Sequence, residues 1–385
     1  MTITIKDIKM PCVSSTITRK IVYTEPSAPI RCVCVTHENC LDGLFSAALI
    51  NRIMEIVATS ARREKISAVY DIKYIEKNYS KKFTDEEILS VSECDIVFIV
   101  DVSLTLEDIT TILTSVSNKT LVVWIDHHET SIKTYKQLKS ENKTNDRLSV
   151  ILDIKVSASM LIKNNMWYIV DQLCIAMGMP RLVAHNDIDK LTVFTISETN
   201  MSSAILSLVK FVDDRDRWVY AYDNTKPITT YLYSKFIGEK TSKGTYGDKV
   251  EALLGIPNTD IEHMIKIGEE MISIVENTTK RIFNNHTPPV YNETLGYEIV
   301  TINSPVFQSE LGNLGYDKYP NAVIVVYNIN LSIGKVILSL RSHNDGPNVA
   351  EIAEKFGGGG HAHAAGFTVS IVDFISIMQI ERNII

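Results

Sequence analysis

The stretch that decides the fold is Thr120-Leu121-Val122-Val123-Trp124-Ile125-Asp126-His127-His128-Glu129. Its first six residues form an apolar, β-branched run, which predicts a buried strand of a parallel sheet. The strand ends directly in an acid and two imidazoles. Because ligands bind beyond the carboxyl ends of strands in open α/β sheets, this Asp-His-His end predicts a metal or phosphate site. The plainer interpretation is a pair of surface histidines in a loop.

The size and composition of the chain indicate a globular protein with two domains. At 385 residues the chain is long for a single core, and its 45% hydrophobic and 22% charged residues are ordinary for a globular protein. No apolar run approaches the roughly 20 residues that span a bilayer. Residues 1–9 hold no long apolar stretch. We therefore expect no membrane partner, no secretory signal and a cytoplasmic location.

The net charge indicates which partners to expect, and the cysteines indicate the state of the thiols. The formal net charge is -7, and a protein that grips long nucleic acid usually carries a basic patch. This acidic net charge favours a small or short anionic substrate. The basic residues within 61–65 are interpreted as a solvated helix end. The cysteines form no CxxC pair, so we expect reduced, mostly buried thiols. The six cysteines are Cys12, Cys32, Cys34, Cys40, Cys94 and Cys174.

The first part of the chain alternates between strand-like and helix-like segments. The strand-like segments are residues 31–36, 68–75, 95–100 and 120–125, and the helix-like ones include residues 44–57 and 106–115. This βαβ rhythm predicts a parallel sheet with helices on both faces. The pattern then becomes mostly helical over residues 157–211.

A long amphipathic helix over residues 260–283 is a good candidate connector, with a polar loop over residues 239–247 before it. Strand-like segments return at residues 299–302, 322–327, 335–340 and 366–371, with a short helix at residues 349–356. They predict a smaller α+β C-terminal domain. The predicted domains are therefore 1–225 for the parallel-sheet α/β domain, 226–288 for the helical connector and 289–385 for the C-terminal domain.

Polar clusters of the first domain share one position, because each follows an apolar run. They are His37-Glu38-Asn39-Cys40-Leu41-Asp42-Gly43, Asp101, Asp126-His127-His128 and Asp213-Asp214-Arg215-Asp216-Arg217-Trp218. Acids and imidazoles gathered at strand ends need a counter-charge, and divalent cations supply one. Mixed histidine and aspartate ligands suit Mn²⁺, Fe²⁺, Co²⁺ or Zn²⁺. Two such ions about 3.5–4 Å apart would activate water for attack on phosphorus.

Each cluster taken singly has a plainer interpretation. Asp42 and Gly43 could form a turn, and Asp101 could cap a helix. Asp214 and Asp216 could pair with the neighbouring arginines. The joint occurrence of the clusters at successive strand ends favours the metal site.

A glycine-rich stretch near the C-terminus predicts a binding loop. Four consecutive glycines, Gly357-Gly358-Gly359-Gly360, precede His361, and Arg341 ends an upstream strand. Glycines cost backbone entropy, but they let N–H groups approach an anion closely. The histidine adds a donor, and the guanidinium offers a bidentate phosphate contact. A flexible hinge is the alternative, while His363 is interpreted as a surface residue.

With these motifs in place, the chain resembles the DHH superfamily of phosphoesterases, in the branch with a C-terminal DHH-associated domain that includes oligoribonucleases, RecJ-like exonucleases and bisphosphonucleotide phosphatases. Asp126-His127-His128 looks like the naming motif, and residues 357–361 look like the Gly-Gly-Gly-His motif of the associated domain. The match runs over residues 37–367, in the family's order.

The resemblance implies two divalent cations, commonly Mn²⁺, with Mg²⁺, Co²⁺ or Zn²⁺ as alternatives. Asp101 would bridge them, Asp42, His127 and Asp214 would complete one site, and His37 would belong to the other. The catalytic pair would be Asp126, which orients an imidazole, and His128, which positions substrate or the attacking water. The phosphate would be held from the second domain, across a cleft, by Arg341, Gly358, Gly359, Gly360 and His361.

The chain departs from the family at Cys40, where a second acid usually stands two residues before Asp42. A thiolate is a soft ligand that suits Zn²⁺ better than Mn²⁺. Cys40 could ligate a softer metal, one metal site could be weak, Glu38 could substitute, or the thiol could be a buried spectator.

The predicted function is that of a metal-dependent phosphoesterase that hydrolyses phosphodiester or phosphomonoester bonds of short oligonucleotides or nucleotides with metal-activated water. A 3′-5′ bisphosphorylated nucleotide, a cyclic dinucleotide and polyphosphate stay open as substrates, and a homodimer stays open as the assembly. One alternative is a single-strand-specific exonuclease of the RecJ type. The other is a nucleotide-binding module that has lost catalysis through the change at Cys40.

Overall fold

The computed structural model describes residues 29–63, 69–77, 82–177, 203–237 and 244–379. The chain divides into two compact units between Gly268 and Glu269. The first unit is built on β1 (Ile30–His37), β2 (Tyr70–Lys77), β3 (Ile96–Val100), β4 (Leu121–Asp126) and β5 (Leu148–Leu152). Their order in the sheet is β2-β1-β3-β4-β5, and every pairing is parallel. The predicted parallel-sheet α/β domain is confirmed.

Helices cover both faces of this sheet. They are α1 (Leu41–Arg63), α2 (Asp85–Ser92), α3 (Leu106–Ser115), α4 (Glu129–Ser140), α5 (Ala158–Asn164), α6 (Met166–Ala176), α7 (Ser203–Asp216), α8 (Thr225–Phe236) and α9 (Tyr246–Leu254). Strand β3 shows why its sequence is continuously apolar. Phe98 packs in the core that contains α1, while Val97 and Ile99 pack in the core that contains α3. A strand buried on both faces needs apolar residues at every position.

Two local features differ from the sequence expectations. Strand β5 has no predicted counterpart, because it lies at the sheet edge and only Ile151 of its residues is buried. Asp101 is not the cap of α3. Thr105 caps that helix, and its hydroxyl accepts a hydrogen bond from the backbone N–H of Asp108.

The second unit is a smaller α+β domain, as predicted. Its strands are β6 (Val290–Asn292), β7 (Tyr297–Asn303), β8 (Val323–Asn330), β9 (Lys335–Arg341), β10 (Gly359–His361) and β11 (Ala364–Ser370). The sheet order is β10-β11-β9-β8-β7-β6, and only the β7–β8 pair is parallel. Its helices after the connector are α11 (Gln308–Lys318), α12 (Val349–Glu354) and α13 (Ile371–Ile377).

Helix α10 (Ile261–Phe283) is the predicted connector helix, and the division between the units falls within it. Met264 belongs to the core of the first unit, and Phe283 belongs to a core of the second unit. Gly268 is required where it stands, because a Cβ atom there would lie 2.0 Å from the carbonyl oxygen of Pro227. The domain boundaries 1–225, 226–288 and 289–385 stay a prediction.

Some expectations fall on residues outside the described ranges. Cys12 and most of the loop predicted over residues 239–247 lie there, as do the last residues of the basic cluster at 61–65. The described cysteines are all free thiols, buried at Cys32, Cys34, Cys94 and Cys174 and half-buried at Cys40. Within the described ranges, the helices are too short or too polar to cross a bilayer.

Candidate metal centre

Three neighbouring strands bring the predicted ligands to one edge of the first sheet. His37 is the last residue of β1, Asp101 follows β3 directly, and Asp126 is the last residue of β4. These strands are adjacent and parallel, so their carboxyl ends meet at the same edge. The alternation of apolar strand and polar end in the sequence therefore becomes a cluster in space.

Asp101 lies at the centre of this cluster. Its side chain is 1% exposed, and its Oδ2 atom has no hydrogen-bond partner among the described residues. Its Oδ1 atom lies 3.3 Å from the Nε2 atom of His127. The backbone of Asp101 has φ 52°, a left-handed conformation that aspartate tolerates better than most residues. A buried carboxylate oxygen without a donor is costly, and a cation would relieve that cost.

Gly43 makes room for Asp101. A Cβ atom at Gly43 would lie 3.2 Å from Oδ2 of Asp101 and 3.0 Å from the carbonyl oxygen of His37. The first turn of α1 can therefore approach the ends of β1 and β3. This close approach places Asp42, in the first turn of α1, beside the cluster.

The side chains form overlapping groups whose donor atoms lie within 4.8 Å of one another. One group joins His37, Cys40 and Asp101, and a second joins Asp42, His127 and Asp216. The third group consists of Asp101, Asp126, His127 and His128. Nitrogen, oxygen and sulfur donors at this spacing fit divalent transition-metal ions, and the groups overlap through Asp101 and His127.

Asp42 is held in place by the start of α5. Its carboxylate accepts hydrogen bonds from the backbone N–H of Ala158 (2.8 Å) and from the hydroxyls of Ser157 (2.7 Å) and Ser159. Asp42 is 1% exposed. These donors fix the carboxylate and stabilise its charge, so Asp42 is not a residue of a simple surface turn.

Asp126 and His128 form a fixed pair beside the central carboxylate. The Nδ1 atom of His128 lies 2.7 Å from Oδ1 of Asp126, whose Oδ2 accepts a hydrogen bond from the Ser131 hydroxyl. Burial opposes both charges, but this hydrogen bond lowers the pKa of Asp126 and raises the pKa of His128. Asp126 thus orients the imidazole of His128.

The acids of the cluster perturb one another strongly. Burial, followed by the charge of Asp42, raises the pKa of Asp101 to about 8 and raises the pKa of Asp216. Burial lowers the pKa of His127, but the hydrogen bond to Asp101 and the charges of Asp42 and Asp216 outweigh it and raise that pKa to about 10. Burial, then Asp101, raises the pKa of the Cys40 thiol. Like charges packed this closely indicate a site that gains from a cation.

The structure does not bring Asp214 into the cluster. Its carboxylate accepts hydrogen bonds from the backbone N–H groups of Ala221 (2.8 Å) and Tyr222 (3.2 Å) and from the hydroxyl of Thr225. Asp216 lies there instead, with Oδ2 3.4 Å from Nε2 of His127.

The expected arginine pairs are also different, because Arg217 pairs with Asp213, at 2.7 Å from Nη2 to Oδ2. Arg215 stacks on Tyr233, with the guanidinium carbon 3.7 Å from the ring centre. The close ion pair of this segment is therefore formed by Asp213, whereas Arg215 stacks on an aromatic ring.

The glycine-rich stretch is not an open loop in the second unit. Strand β10 pairs with β11, and Gly360 faces Ala365 in the register. Gly357 (φ 74°) and Gly360 (φ 147°) adopt backbone conformations that favour glycine. A Cβ atom at Gly358 would lie 2.2 Å from the carbonyl oxygen of Gly366. Glycine is thus required for close strand approach, and the side chain of His361 lies outside the described part.

Arg341 ends strand β9, as expected. Its Nη1 donates to the carbonyl oxygen of Leu340 (2.9 Å), and Nη2 donates to the Ser309 hydroxyl (3.2 Å). Its aliphatic stem lies against Gly312, where a Cβ atom would be 2.3 Å from Cγ of Arg341. Helix α11 therefore shapes the position of the guanidinium.

Comparison with known protein families finds a match to part of the second unit. Residues 309–378 match the DHHA1 domain. Protein R106 of Acanthamoeba polyphaga mimivirus is 27% identical over 161 residues, which cover 41% of this chain and 36% of that protein. The chain therefore spans about a third of the length of this curated relative.

Solved structures with similar folds include exonuclease RecJ bound to manganese and the pGpG-specific phosphodiesterase PggH of Vibrio cholerae. RecJ is 13% identical, with a TM-score of 0.47 and coverage of 90% of this chain and 88% of that chain. PggH is 13% identical, with a TM-score of 0.42 and coverage of 91% and 96%.

Proposed function

We propose that the chain, whose residues 309–378 match the DHHA1 domain, belongs to the DHH superfamily and is a metal-dependent phosphoesterase that acts on short oligonucleotides or nucleotides. The observation that carries the proposal is the buried Asp101 carboxylate. It groups with His37 and Cys40, its Oδ1 lies 3.3 Å from Nε2 of His127, and its Oδ2 has no partner among the described residues. Such a carboxylate is suited to bridge two cations.

We assign the ligands by the donor groups of the described residues. Asp101 would bridge two ions, with His37 and Cys40 on one ion. Asp42, His127 and Asp216 would hold the other ion, so Asp216 replaces Asp214 in the assignment made from sequence. When bound, the cations would polarise the phosphoryl group and lower the pKa of a water molecule beside it.

His128 would act on the substrate side of the centre. Its Nδ1 proton is directed at Asp126, so the ring is fixed in orientation. With Nδ1 engaged by Asp126, the Nε2 side of the ring would face a phosphate oxygen or the leaving oxygen. Arg341 and the glycine-rich segment of the DHHA1 domain stay proposed phosphate-binding elements, and Arg341 supplies the permanent positive charge.

The direct experiment uses a labelled 5′-phosphorylated dinucleotide with Mn²⁺. We expect release of mononucleotides by the purified chain, and no release by Asp101→Asn purified in the same way, which controls for contaminating nucleases. Absence of turnover with Mn²⁺, Co²⁺ and Zn²⁺ alike on this substrate, on a cyclic dinucleotide, on a bisphosphorylated nucleotide and on polyphosphate would contradict the proposal. A series of single strands of increasing length separates this activity from that of a RecJ-type exonuclease.

The side chain of Cys40 should determine which metal ion binds best to the group formed by His37, Cys40 and Asp101. With His37 and Asp101 as its partners, a thiolate at this position would favour a softer ion than Mn²⁺. Loading with Co²⁺ should give an intense ultraviolet sulfur-to-metal absorption band that disappears in Cys40→Asp and persists in Cys174→Ser, a buried thiol elsewhere in the core. If the band is absent and about one metal binds per chain, the catalytically degenerate binding module becomes the better assignment.

A further inference from the structure

The segment that follows the metal-centre residue Asp216 exposes several large aromatic side chains to solvent. Trp218 is 71% exposed, Tyr220 is 38% exposed and Tyr222 is 48% exposed. We call residues 218–222 the aromatic loop. Large aromatic side chains are normally buried, so three of them exposed within five residues indicate a binding surface.

The loop has a constrained backbone. Trp218 (φ 55°) and Tyr220 (φ 52°) both adopt the left-handed conformation, which bulky residues rarely take. Such conformations persist only where the surroundings enforce them, and they concentrate at functional sites. Here the constraint is not explained by burial of either ring.

Asp214 supplies that constraint. Its carboxylate accepts hydrogen bonds from the backbone N–H groups of Ala221 and Tyr222, and its carbonyl oxygen accepts one from the N–H of Val219 at 2.9 Å. The Tyr222 ring packs edge-on against the buried Phe211, at 5.8 Å between ring centres. The backbone of the loop is therefore anchored along its length, while the rings of Trp218 and Tyr220 stay largely or partly open to solvent.

The two remaining rings form a single unit. Trp218 and Tyr220 contact each other edge-to-face, with 5.8 Å between ring centres and 78° between planes. This contact holds the indole in a defined orientation while most of its surface stays open to solvent. A fixed, open indole is suited to stack on a flat ligand ring.

The covalent chain places this pair beside the metal centre. Trp218 follows Asp216 by two residues, so their Cα atoms are at most about 7.6 Å apart. The Oδ2 atom of Asp216 in turn lies 3.4 Å from Nε2 of His127. The groups attached to a phosphoester bound at the metal centre would therefore lie close enough to contact the aromatic loop.

We propose that Trp218 and Tyr220 form a stacking platform for a nucleobase attached to the phosphate at the metal centre. The proposal rests on the proposed function and narrows its substrate class to base-bearing nucleotides, as opposed to inorganic polyphosphate. The ammonium of Lys210, 5.3 Å from the ring centre of Tyr222, adds a positive charge at the edge of the loop. This combination of flat rings and a cation suits nucleotides.

The experiment compares a 5′-phosphorylated diadenylate with the same sugar-phosphate lacking both bases. For Trp218→Ala we expect KM for the diadenylate to rise by about 5- to 100-fold with little change in kcat, since stacking is uniform binding. KM for the abasic compound should stay unchanged. Trp218→Phe should recover most of the loss, and Tyr291→Ala, which removes a comparably exposed ring in the second unit, should leave both KM values unchanged.

Several outcomes would overturn the platform. An equal rise in KM for both compounds would make the loop a purely structural element. A change of oligomeric mass in Trp218→Ala without a change in KM would make the rings a subunit interface.

Quenching of tryptophan fluorescence by adenosine monophosphate separates this proposal from the proposed function. Quenching that is lost in Trp218→Phe supports the platform even if no compound is turned over. Equal turnover of the compounds with and without bases, together with no quenching, would overturn the platform but would still support the proposed phosphoesterase activity.

Discussion

The Oδ2 atom of Asp216 lies 3.4 Å from the Nε2 atom of His127, whereas the carboxylate of Asp214, two residues earlier, is bound to the backbone of the segment that follows α7. Successive residues of an α-helix are 100° apart, so two residues separated by one position face different sides. Only one of these acids can therefore serve the metal centre, and the other is available to hold the aromatic loop.

This division of roles predicts opposite phenotypes for two conservative variants. Asp216→Asn should lower turnover by about 10- to 100-fold, while the melting temperature measured with a chelator present changes little, because a charged ligand is lost but the shape is kept. Asp214→Asn should lower the free energy of unfolding by about 1–3 kcal/mol, because the backbone donors and the buried Thr225 hydroxyl lose their charged acceptor. Steady-state kinetics and urea unfolding of both variants provide the check. Equal loss of turnover without destabilisation in Asp214→Asn would contradict the division.

Asp101 should couple metal binding to stability. Mn²⁺ should raise the melting temperature of the unaltered chain in a concentration-dependent way, since a ligand that binds only the folded state stabilises it. Asp101→Asn should abolish most of this shift and turnover, while asparagine tolerates the left-handed backbone at this position. Thermal unfolding with chelator and with Mn²⁺ measures both effects. A full metal shift in Asp101→Asn would show that Asp101 does not bridge the ions.

The glycine-rich segment should show position-specific tolerance to alanine. Gly358→Ala places a Cβ atom 2.2 Å from the carbonyl oxygen of Gly366, and Gly360→Ala places one 2.6 Å from that of Ala364. Each should destabilise the second unit by about 1–3 kcal/mol through backbone displacement. Gly359→Ala is the matched control, because no described atom lies within 4 Å of its added Cβ. Hydrogen exchange of β11 reports the effect locally, and a destabilised Gly359→Ala would contradict this packing.

Much of the site could be predicted from sequence because the carboxyl ends of parallel strands lie at the same edge of a sheet. His37, Asp101 and His127 follow apolar runs, and that position alone predicts their proximity. Asp216 does not follow a strand but ends a helix, so the same rule could not distinguish it from Asp214. A signal was available, because the buried stripe of α7 includes Leu208 and Val212, and helical spacing extends it to position 216.

The role of the glycine-rich segment could be predicted only in part. Four glycines indicate that side chains are not tolerated, but not which contact excludes them. In the structure the exclusion at Gly358 and Gly360 comes from strand β11, with which the segment forms a tight hairpin. Composition therefore identified the segment, whereas only the fold shows that two of its glycines pack against a neighbouring strand.

A buried ion pair at the end of β2 gives the pH dependence of stability a testable component. The ammonium of Lys77, 2% exposed, donates to Oε2 of Glu87 at 2.6 Å and to the carbonyl oxygen of Lys82 at 2.8 Å. Burial opposes the charge of Glu87, but the hydrogen bonds from Lys77 and from the backbone of Thr84 lower its pKa. A carboxyl whose pKa is lower in the folded state stabilises the fold above its unfolded pKa of about 4.3. This contribution is lost as the pH falls through the folded pKa.

Glu87→Gln should therefore lower the free energy of unfolding by about 3 kcal/mol near pH 7, because the buried Lys77 loses its counter-charge. The glutamine can still accept the backbone hydrogen bond of Thr84, so the change isolates the charge. The deficit should shrink towards zero below about pH 4, where the unaltered chain also loses the charge. Glu86→Gln is the matched control, since Glu86 is 85% exposed and pairs with Lys73 at 3.4 Å, a surface contact worth little. Urea unfolding across this pH range at constant ionic strength measures both variants, and a deficit that persists unchanged at low pH would show that the ion pair is not its source.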